Sequence, residues 1–519
     1  MNLGENWDEG ADMNNFKNLT KGIASGIINK IVGLLLPFVS RTVLIYTLGL
    51  SYVGLNSLFS SVLQVLNFSE LGLGSAIVYL LYKPLAENNT VQVNRILSFC
   101  KKCYKFIGLF ITIVGLALLP FIKVLINGSV PDGINIYALY LINLINSAVG
   151  YYLFAYKQTL LIATQRVDIY NSCGVIVDVT LNILQVIALL VWHNFYIFSV
   201  VRVITTILNS VLCNYFSKKL YPQYFPEGDI TSTEKAELKF KIGGMVFQKI
   251  SNVILISADT IVISSFLNLE ILGRYNSYYY IVSALVLFLG AIDQAITPVA
   301  GNYIVKETKN NSEKFFFIMD SLISFVVIWF SACYFTLCQD FMKLWIGNNN
   351  LFSDKTVVLF AFYFFFYKIK DMLNIYIDAN GLWWKVKFIA FGSALFNLIT
   401  NIVLVNFIGV YGVLLSTIIA FVCIDIPLNT AALSKYYFQE KKFNIKYLGA
   451  KFINAIQLIA VVFVSSFICS HFVASNVAGL VVKMIATATV TILLTLVSFV
   501  FSPNFRMGVN FVKEKRKRC

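Results

Sequence analysis

Charged side chains are scarce in this chain. Asp, Glu, Lys and Arg make up only 13% of its 519 residues, whereas 58% are hydrophobic and the mean hydropathy is +0.75. A soluble domain carries about 25% charged residues, so this chain has too little polar surface to remain soluble at such a size. The composition therefore predicts an integral membrane protein.

Sequence patterns for metal, redox or nucleotide chemistry are lacking too. The two histidines, His193 and His471, lie far apart in sequence, and the Cys-x-x-Cys pair of Cys100 and Cys103 has no second pair. Zinc and redox sites need more such ligands, and the sequence has no nucleotide-binding P-loop. It thus predicts no metal, no cofactor and no ATP hydrolysis, and the chain is not expected to be an enzyme.

Long apolar runs occupy most of the chain. Each is about 20 residues or longer, enough to cross a bilayer as a helix, and each is continuous rather than alternating, which excludes a barrel. Fourteen spans are predicted, near 21–48, 53–82, 101–126, 134–163, 168–192, 195–216, 242–267, 272–303, 314–340, 353–380, 385–407, 409–433, 447–473 and 475–500. The predicted fold class is an all-α integral membrane protein with about 14 transmembrane helices.

A weak internal repeat groups these spans. Residues 48–54 (LGLSYVG) are similar to 267–273 (LNLEILG) at an offset of 219, and residues 181–185 (LNILQ) to 396–400 (FNLIT) at an offset of 215. Span one then matches span seven, and span five matches span eleven, so two parallel six-helix lobes plus a C-terminal helix pair are predicted. The expected organisation is a polar N-terminal extension at 1–20, an N-lobe at 21–216, a cytoplasmic linker at 217–240, a C-lobe at 241–434, a helix pair at 435–500 and a basic cytoplasmic tail at 501–519.

The distribution of basic residues predicts the orientation. Thirty Lys and Arg residues fall in the alternate segments that include both termini, and the other loops hold four, namely Lys123, Arg274, Lys343 and Lys355. Because basic residues favour the cytoplasmic side, both termini are predicted to be cytoplasmic. The net charge of +15 is then explained by orientation and by contact with anionic lipid rather than by nucleic-acid binding. Residues 1–20 do not resemble a cleaved signal peptide, and Met13 is a second candidate start.

Seven Lys or Arg residues lie inside the predicted spans and away from the ends of those spans. An ionised side chain there costs at least roughly 2.5 kcal/mol, so it usually faces a polar interior and serves a function. Seven carboxylates lie in the spans as well, so pairing is the structural alternative to a role in binding. The cations are Lys30, Arg41, Arg202, Lys249, Lys368, Lys370 and Lys483, and the carboxylates are Glu70, Asp178, Asp259, Asp293, Asp320, Asp371 and Asp425.

A family resemblance is carried by the region of spans one and two. Residues 37–49 (PFVSRTVLIYTLG), 52–55 (YVGL), 68–78 (FSELGLGSAIV) and 82–86 (YKPLA) resemble the opening of bacterial polysaccharide repeat-unit flippases. These belong to the multidrug/oligosaccharidyl-lipid/polysaccharide exporter superfamily, which also contains the lipid II flippase and multidrug extruders.

The resemblance implies alternating access between two lobes, with a central cavity lined by spans one and seven among others. The implied cargo is an undecaprenyl-diphosphate-linked oligosaccharide, moved from the inner to the outer leaflet of the bacterial cytoplasmic membrane. That activity would serve the synthesis of a capsule, an exopolysaccharide or an O-antigen. It would make membrane lipids, a polymerase and other polysaccharide-assembly proteins the expected partners.

Two cations of span one are the leading candidates for contact with such a cargo. Lys30 and Arg41 are eleven residues apart, which is about 20° from a whole number of helical turns, so they share a face. Arg grips a phosphate through a bidentate fork, and Lys supplies a point charge. We expect Arg41 and Lys30, with Lys249 and Arg202 in spans seven and six, to bind the diphosphate.

The remaining intramembrane polar residues receive other roles. Residues that line the cavity or a gate are expected to be Lys368, Asp371, Gln64 and Asn67. Carboxylates that could couple transport to H+ or Na+, because their surroundings can tune their proton affinity, are Asp259, Asp293 and Asp425. Lys483 is interpreted as a snorkelling or lipid-facing side chain.

Two other functions stay open. A cation-coupled multidrug extruder would share the layout, but a cavity led by Lys30 and Arg41 would repel cationic drugs unless those charges were neutralised. A membrane-embedded polysaccharide polymerase or ligase would bring a sizeable outer loop with catalytic groups, whereas the longest hydrophilic connection, about 217–240, is predicted to be cytoplasmic.

Overall fold

The structure is a computed structural model that describes residues 9–67, 73–472, 474 and 476–518. For residues 9–24, 27, 233–234, 236–248, 511–512 and 514–518 it describes the backbone alone. The described chain forms nineteen α-helices and no strand. They are α1 (Glu9–Thr47), α2 (Leu50–Leu66), α3 (Leu73–Ala86), α4 (Thr90–Leu118), α5 (Ile136–Tyr152), α6 (Ala155–Ala163), α7 (Val167–Ile187), α8 (Phe195–Leu220), α9 (Ser232–Phe266), α10 (Leu269–Lys306), α11 (Lys309–Ile346), α12 (Asp354–Lys368), α13 (Asp371–Ala379), α14 (Trp383–Ile408), α15 (Val410–Ala420), α16 (Ile426–Leu433), α17 (Lys442–Cys469), α18 (Val477–Phe499) and α19 (Pro503–Arg518).

Short segments of other helix types join or extend these helices. 3-10 turns occur at Leu119–Leu125 and Asn348–Asn350, and π-helical turns occur at Ala188–Trp192, Phe421–Asp425 and Ser434–Phe438. The π-turns keep α15 and α16 in one continuous apolar segment, Val410–Phe438. Such turns are frequent at functional sites in helices, and one of them contains a candidate coupling residue, Asp425.

The prediction of an all-α membrane protein is confirmed. Eleven helical segments of the described chain are long and apolar enough to cross a membrane, and a twelfth is added if α5 and α6, bent by 52°, form one span. Of the two other predicted spans, 353–380 corresponds to two shorter helices, α12 and α13, and 53–82 includes α2 and α3, with residues 68–72 outside the described part of the chain. The sequence therefore found the apolar segments but not the breaks within them.

The chain packs as two compact units. Unit 1 comprises Met1–Val253 and Asn268–Glu270, and unit 2 comprises Ile254–Leu267 and Ile271–Cys519. The segment 221–231 connects α8 to α9. The lobe boundaries drawn from the repeat stay a prediction.

In unit 1, α1 lies along α7 through small and polar residues. Gly174 leaves room for Asn29, whose side chain would lie 3.5 Å from a Cβ at that position, and Gly33 approaches α7 in the same way. The Ser40 hydroxyl donates a hydrogen bond to the Asn182 side chain. Close approach of small residues and interhelical hydrogen bonds are how helices associate in lipid. This contact fixes which way the other faces of α1 point.

In unit 2, α11 is the central helix. It packs against α12, α17, α18 and α19. Its Phe316 is fully buried and makes edge contacts with the rings of Tyr376, Phe438 and Phe443, and a tilted contact with Tyr447. Aromatic pairs of this geometry contribute about 0.5 to 1.5 kcal/mol each beyond their buried area. This cluster ties the C-terminal helices to the body of unit 2.

Candidate functional site

The first helix has three distinct faces. Gly33 and Ser40 face α7, whereas the exposed apolar residues of the helix, such as Leu35 at 57% exposure, mark the side turned to lipid. At 100° per residue, Lys30 and Arg41 lie about 80° from the α7 face and about 140° from the lipid face. Both are half-buried. The two cations therefore share a third face, turned away from lipid.

A third cation of unit 1, Arg202, lies on α8 opposite the lipid side. The exposed apolar residues of this helix include Ile204 and Val211, at 55% and 47% exposure. Arg202 lies about 160 to 180° around the helix from them, yet it is only half-buried. Within the described part of the chain, no carboxylate pairs with it and no side chain hydrogen-bonds its guanidinium. It is therefore an interior cation with its charge uncompensated.

Helix α2 also presents a polar side. Within Leu50–Leu66, only Ser60 and Gln64 are exposed. An apolar helix whose exposed positions are both polar faces water rather than lipid. Asn67, expected beside Gln64, is half-buried and accepts a hydrogen bond of 3.0 Å from Ser147. Its neighbour Glu70 lies outside the described residues.

Lys249 completes the set expected to bind phosphate. It lies on the unit 1 part of α9, is half-buried, and is followed one turn later by the exposed Asn252. Among the described residues none forms an ion pair or a hydrogen bond with its ammonium group. The role of Lys249 in binding phosphate stays a prediction.

In unit 2, three intramembrane cations, Lys368, Lys370 and Lys483, are paired with carboxylates. Lys368, at the end of α12, donates to Asp293 of α10 at 2.6 Å and also forms an ion pair with Asp371 at the start of α13. The ammonium group is almost fully buried, with its side chain 4% exposed. Two carboxylates thus share one cation at the break between α12 and α13. The arrangement leaves Lys368 no free charge for a cargo, and the role of Lys368 and Asp371 in a gate stays a prediction.

A second pair lies beside the same break. Lys370 forms an ion pair with Asp425, and its ammonium group lies 4.5 Å from the centre of the Phe421 ring. Asn429 donates to the other carboxylate oxygen of Asp425 at 2.5 Å. Asp425 is therefore neutralised by a lysine, which makes it a weaker candidate for ion coupling than its position in sequence indicated.

The third candidate for coupling, Asp259, lies in a buried polar network without a cation. It is 4% exposed. The Tyr275 hydroxyl donates to one carboxylate oxygen at 2.9 Å, and Asn401 donates to the other at 2.8 Å. Asn401 in turn accepts from Ser416 at 2.5 Å. In the described chain no Lys or Arg pairs with Asp259, so it is the buried carboxylate whose charge is balanced only by neutral donors.

One interpretation from the sequence is wrong. Lys483 was expected to snorkel or to face lipid, but it is 9% exposed and its ammonium group lies 2.6 Å from Asp340 of α11. The apolar sequence around Lys483 gave no sign of a partner, because Asp340 lies more than 140 positions earlier. Pairing across such a separation is visible only in the folded chain.

Two further buried cations were missed. Lys157 is 3% exposed and Lys451 is 5% exposed, although both had been counted with the cytoplasmic residues. Lys451 pairs with Asp320 at 2.6 Å, and Lys157 donates to the backbone carbonyl of Tyr224 at 2.9 Å. Both lie a few residues inside the ends of predicted spans, where hydropathy alone does not distinguish a buried lysine from a solvated one.

Comparison with known proteins identifies the fold. No family model and no curated protein sequence matches the chain. Among solved structures, it is similar to the lipid II flippase MurJ in an inward closed conformation, with a TM-score of 0.66 and 16% identity over 92% of this chain and 98% of that one. An inward-facing multidrug resistance MATE family transporter of the MOP superfamily gives a TM-score of 0.61 and 12% identity over 85% and 98%. An outward-facing MATE family transporter gives a TM-score of 0.55 and 11% identity over 86% of this chain and 96% of that one.

The chain therefore has the fold of transporters of the flippase and MATE type. These similar structures are transporters rather than enzymes. At such identities the likeness defines the fold alone, so function has to be argued from the polar residues of each unit.

Proposed function

We propose that the chain is a flippase that moves an undecaprenyl-diphosphate-linked oligosaccharide from the inner to the outer leaflet of the bacterial cytoplasmic membrane by alternating access. The observation that carries the proposal is Arg202, an intramembrane cation without a carboxylate partner in the described chain. In unit 2, Lys368, Lys370 and Lys483 have carboxylate partners. In unit 1, Arg202 has none in the described chain and lies on a face turned from lipid. An uncompensated interior cation is suited to an anionic cargo.

Different residues of unit 1 bind different parts of the cargo. Arg202 and Arg41 grip phosphate oxygens through their guanidinium forks, and Lys30 and Lys249 add point charges. The exposed hydroxyl of Ser60 and amide of Gln64 have the donors and acceptors that sugar hydroxyls need. The polyprenyl tail stays in lipid while the polar head crosses.

A multidrug extruder is the alternative with the same fold. Its cationic substrates would be repelled by Arg202, since no described carboxylate offsets that charge. The charge of Arg202 therefore favours the flippase.

The test is Arg202→Gln in purified protein reconstituted into vesicles, with a fluorescent undecaprenyl-diphosphate oligosaccharide as probe. We expect flipping to fall at least about tenfold, because a charge-assisted contact to phosphate contributes about 1.5 to 3 kcal/mol. Arg202→Lys should retain part of the activity. The matched control is Lys219→Gln, which removes an exposed cation from the last turn of the same helix. Full flipping by a folded Arg202→Gln protein, or faster export of cationic dyes by it, would refute the proposal.

We infer further that Asp259 takes up the coupling ion, a proton or Na+. The support is its burial without a cationic partner, whereas Asp293 and Asp425 are held by Lys368 and Lys370. A carboxylate among neutral donors changes its charge state or binds a cation at lower cost than one already paired with a lysine.

The coupling test compares Asp259→Asn with Asp425→Asn in the same vesicles. We expect Asp259→Asn to lose the acceleration of flipping by an imposed proton or Na+ gradient while slow flipping without a gradient persists. Asp425→Asn should keep the gradient response. If Asp259→Asn retains the acceleration by the gradient, Asp259 is not the residue that takes up the coupling ion. The proposal for the unit 1 cations is not affected by that result.

A further inference from the structure

The side of α5 that is turned away from lipid carries polar residues. In the C-terminal half of this helix the large exposed side chains are Ile145 and Tyr152, at 54% and 41% exposure. They lie within about 20° of each other and mark the lipid side. Asn146 and Ser147 lie about 100 to 160° around the helix from them, and both are half-buried. Two polar side chains of α5 are therefore directed into unit 1.

Asn146 contacts α8 beside the uncompensated cation. The Thr206 hydroxyl donates to the Asn146 side-chain oxygen at 2.8 Å and to the backbone carbonyl of Arg202 at 3.0 Å. A Cβ at Gly150, one turn further along α5, would lie 3.6 Å from the Thr206 methyl group, so the two helices are in close contact. Arg202 and Thr206 are four residues apart and share a face of α8 to within about 40°. Asn146 thus contacts that face one turn from Arg202.

The neighbouring residue, Ser147, joins α5 to the polar side of α2. Its hydroxyl donates to the Asn67 side chain at 3.0 Å, and Gln64, one turn before Asn67, is exposed. Polar side chains therefore continue from the exposed side of α2, through Ser147 and Asn146, to the turn of α8 that carries Arg202. A polar group that enters unit 1 beside α2 meets hydrogen-bonding partners along this whole path.

The amide of Asn146 keeps its two donors. Its oxygen accepts from Thr206, but among the described residues none accepts from its N–H groups. Asn143, on the same side of α5, differs in this respect, since it donates to the backbone carbonyl of Leu139 at 2.9 Å. Interhelical hydrogen bonds between polar side chains are common in membranes, but the contact with α8 uses only the Asn146 oxygen. The Thr206 bond fixes the orientation of the amide and leaves its N–H groups available to a ligand.

We infer that Asn146 donates to an oxygen of the sugar attached to the diphosphate of the cargo, while Arg202 binds the diphosphate one turn away. This inference rests on the proposed flippase function. One helical turn, about 6 Å along the axis, suits two neighbouring groups of a glycosyl diphosphate. The N–H groups of an amide require an acceptor, so the sugar is one that presents a hydroxyl or an acyl carbonyl oxygen there. Thr206 is a positioning residue, because it acts through the amide.

The experiment measures how much the sugar adds to binding. Purified full-length chain in detergent is titrated with undecaprenyl diphosphate or with undecaprenyl diphosphate carrying one N-acetylglucosamine, which has both hydroxyl and acyl carbonyl oxygens, and bound lipid is counted by native mass spectrometry. We expect the wild-type chain to bind the glycosylated lipid more tightly. Asn146→Leu should lower that preference about two- to tenfold, the contribution of one hydrogen bond. Asn146→Ala, which cannot overpack the contact, should do the same. Unchanged binding of the bare diphosphate shows that the variants are folded.

Two further variants separate this inference from the proposed function. Thr206→Val removes the same contact between α5 and α8 but keeps the amide donors, so it should lower the preference for the sugar less than Asn146→Leu does. Arg202→Gln should weaken binding of both lipids and leave the preference unchanged. If the wild-type chain shows no preference for the sugar, or if Thr206→Val lowers it as much as Asn146→Leu, the role of Asn146 is refuted while that of Arg202 stands. If Arg202→Gln binds the bare diphosphate as tightly as the wild type, the proposed function fails and the inference fails with it.

Discussion

The ammonium group of Lys451 on α17 lies 2.6 Å from a carboxylate oxygen of Asp320 on α11, and the two side chains are only 6% and 4% exposed. The same ammonium group donates to the Ser324 hydroxyl at 3.1 Å. A buried charge that loses its partner is destabilising by about 3 to 5 kcal/mol, because the remaining charge has no compensation. This pair therefore attaches the C-terminal helices to α11 in one register.

The first prediction is that Lys451→Met strongly destabilises the protein, by about 3 to 5 kcal/mol, measured by thermal unfolding in detergent. The control is Lys446→Met on the same helix. The partner of Lys446, Glu313, also lies on α11, but the side chain of Lys446 is 55% exposed. Because the Lys446 side chain remains in contact with water, this half-exposed pair should contribute less than the fully buried pair. Equal effects of the two substitutions would show that burial does not decide the contribution of these pairs.

The second prediction concerns Lys368, shared by Asp293 and Asp371. Lys368→Met leaves two carboxylates close together in a buried site and should lower the unfolding midpoint markedly. Asp293→Asn should be much milder, since Lys368 and Asp371 then form a one-to-one pair. Thermal unfolding of both variants at neutral pH checks the order. If Asp293→Asn proves the more damaging, the lysine does not hold the two carboxylates together.

The third prediction concerns the tight turn between α14 and α15. A Cβ at Gly412 would lie 2.5 Å from the backbone carbonyl atoms of Leu404, which cannot move aside. Gly412→Ala should therefore cost about 1 to 3 kcal/mol. Gly392→Ala, within α14 and with nothing within 4 Å of the added atom, should be neutral or stabilise by up to about 1 kcal/mol. If Gly412→Ala and Gly392→Ala change the unfolding midpoint equally, the expected clash with the backbone of Leu404 is contradicted.

Much of the architecture could be predicted from the sequence, because the bilayer imposes a length and an apolar composition on each span. The helix breaks at 369–370 and 153–154 were not predicted, because a hydropathy average over the length of a span does not resolve them. The shared face of Lys30 and Arg41 followed from helical period alone. The partners of Lys368, Lys451 and Lys483 could not be predicted from the sequence, because each partner other than Asp371 lies on a helix distant in sequence. Ion pairing depends on which helices pack together, and no local sequence pattern indicates that.

The last prediction tests whether α2 faces water. Ser60 and Gln64 are the exposed positions of this helix, whereas Ile204 on α8 is 55% exposed on a side lined by apolar residues. A maleimide reacts with a thiolate, which forms in water and not in hydrocarbon. In a background with Cys423, an exposed cysteine, replaced by Ser, Ser60→Cys and Gln64→Cys should react with a charged, water-soluble maleimide, and Ile204→Cys should not.

Mass spectrometry of the labelled protein in vesicles gives the extent of reaction. Labelling at 60 and 64 that decreases when the lipid-linked oligosaccharide is added would place the cargo beside α2, as the flippase proposal requires. If Ile204→Cys reacts as fast as Gln64→Cys, the face of α8 assigned to lipid is hydrated instead. Arg202 would then lose its assignment to the interior, because that assignment rests on its lying opposite Ile204.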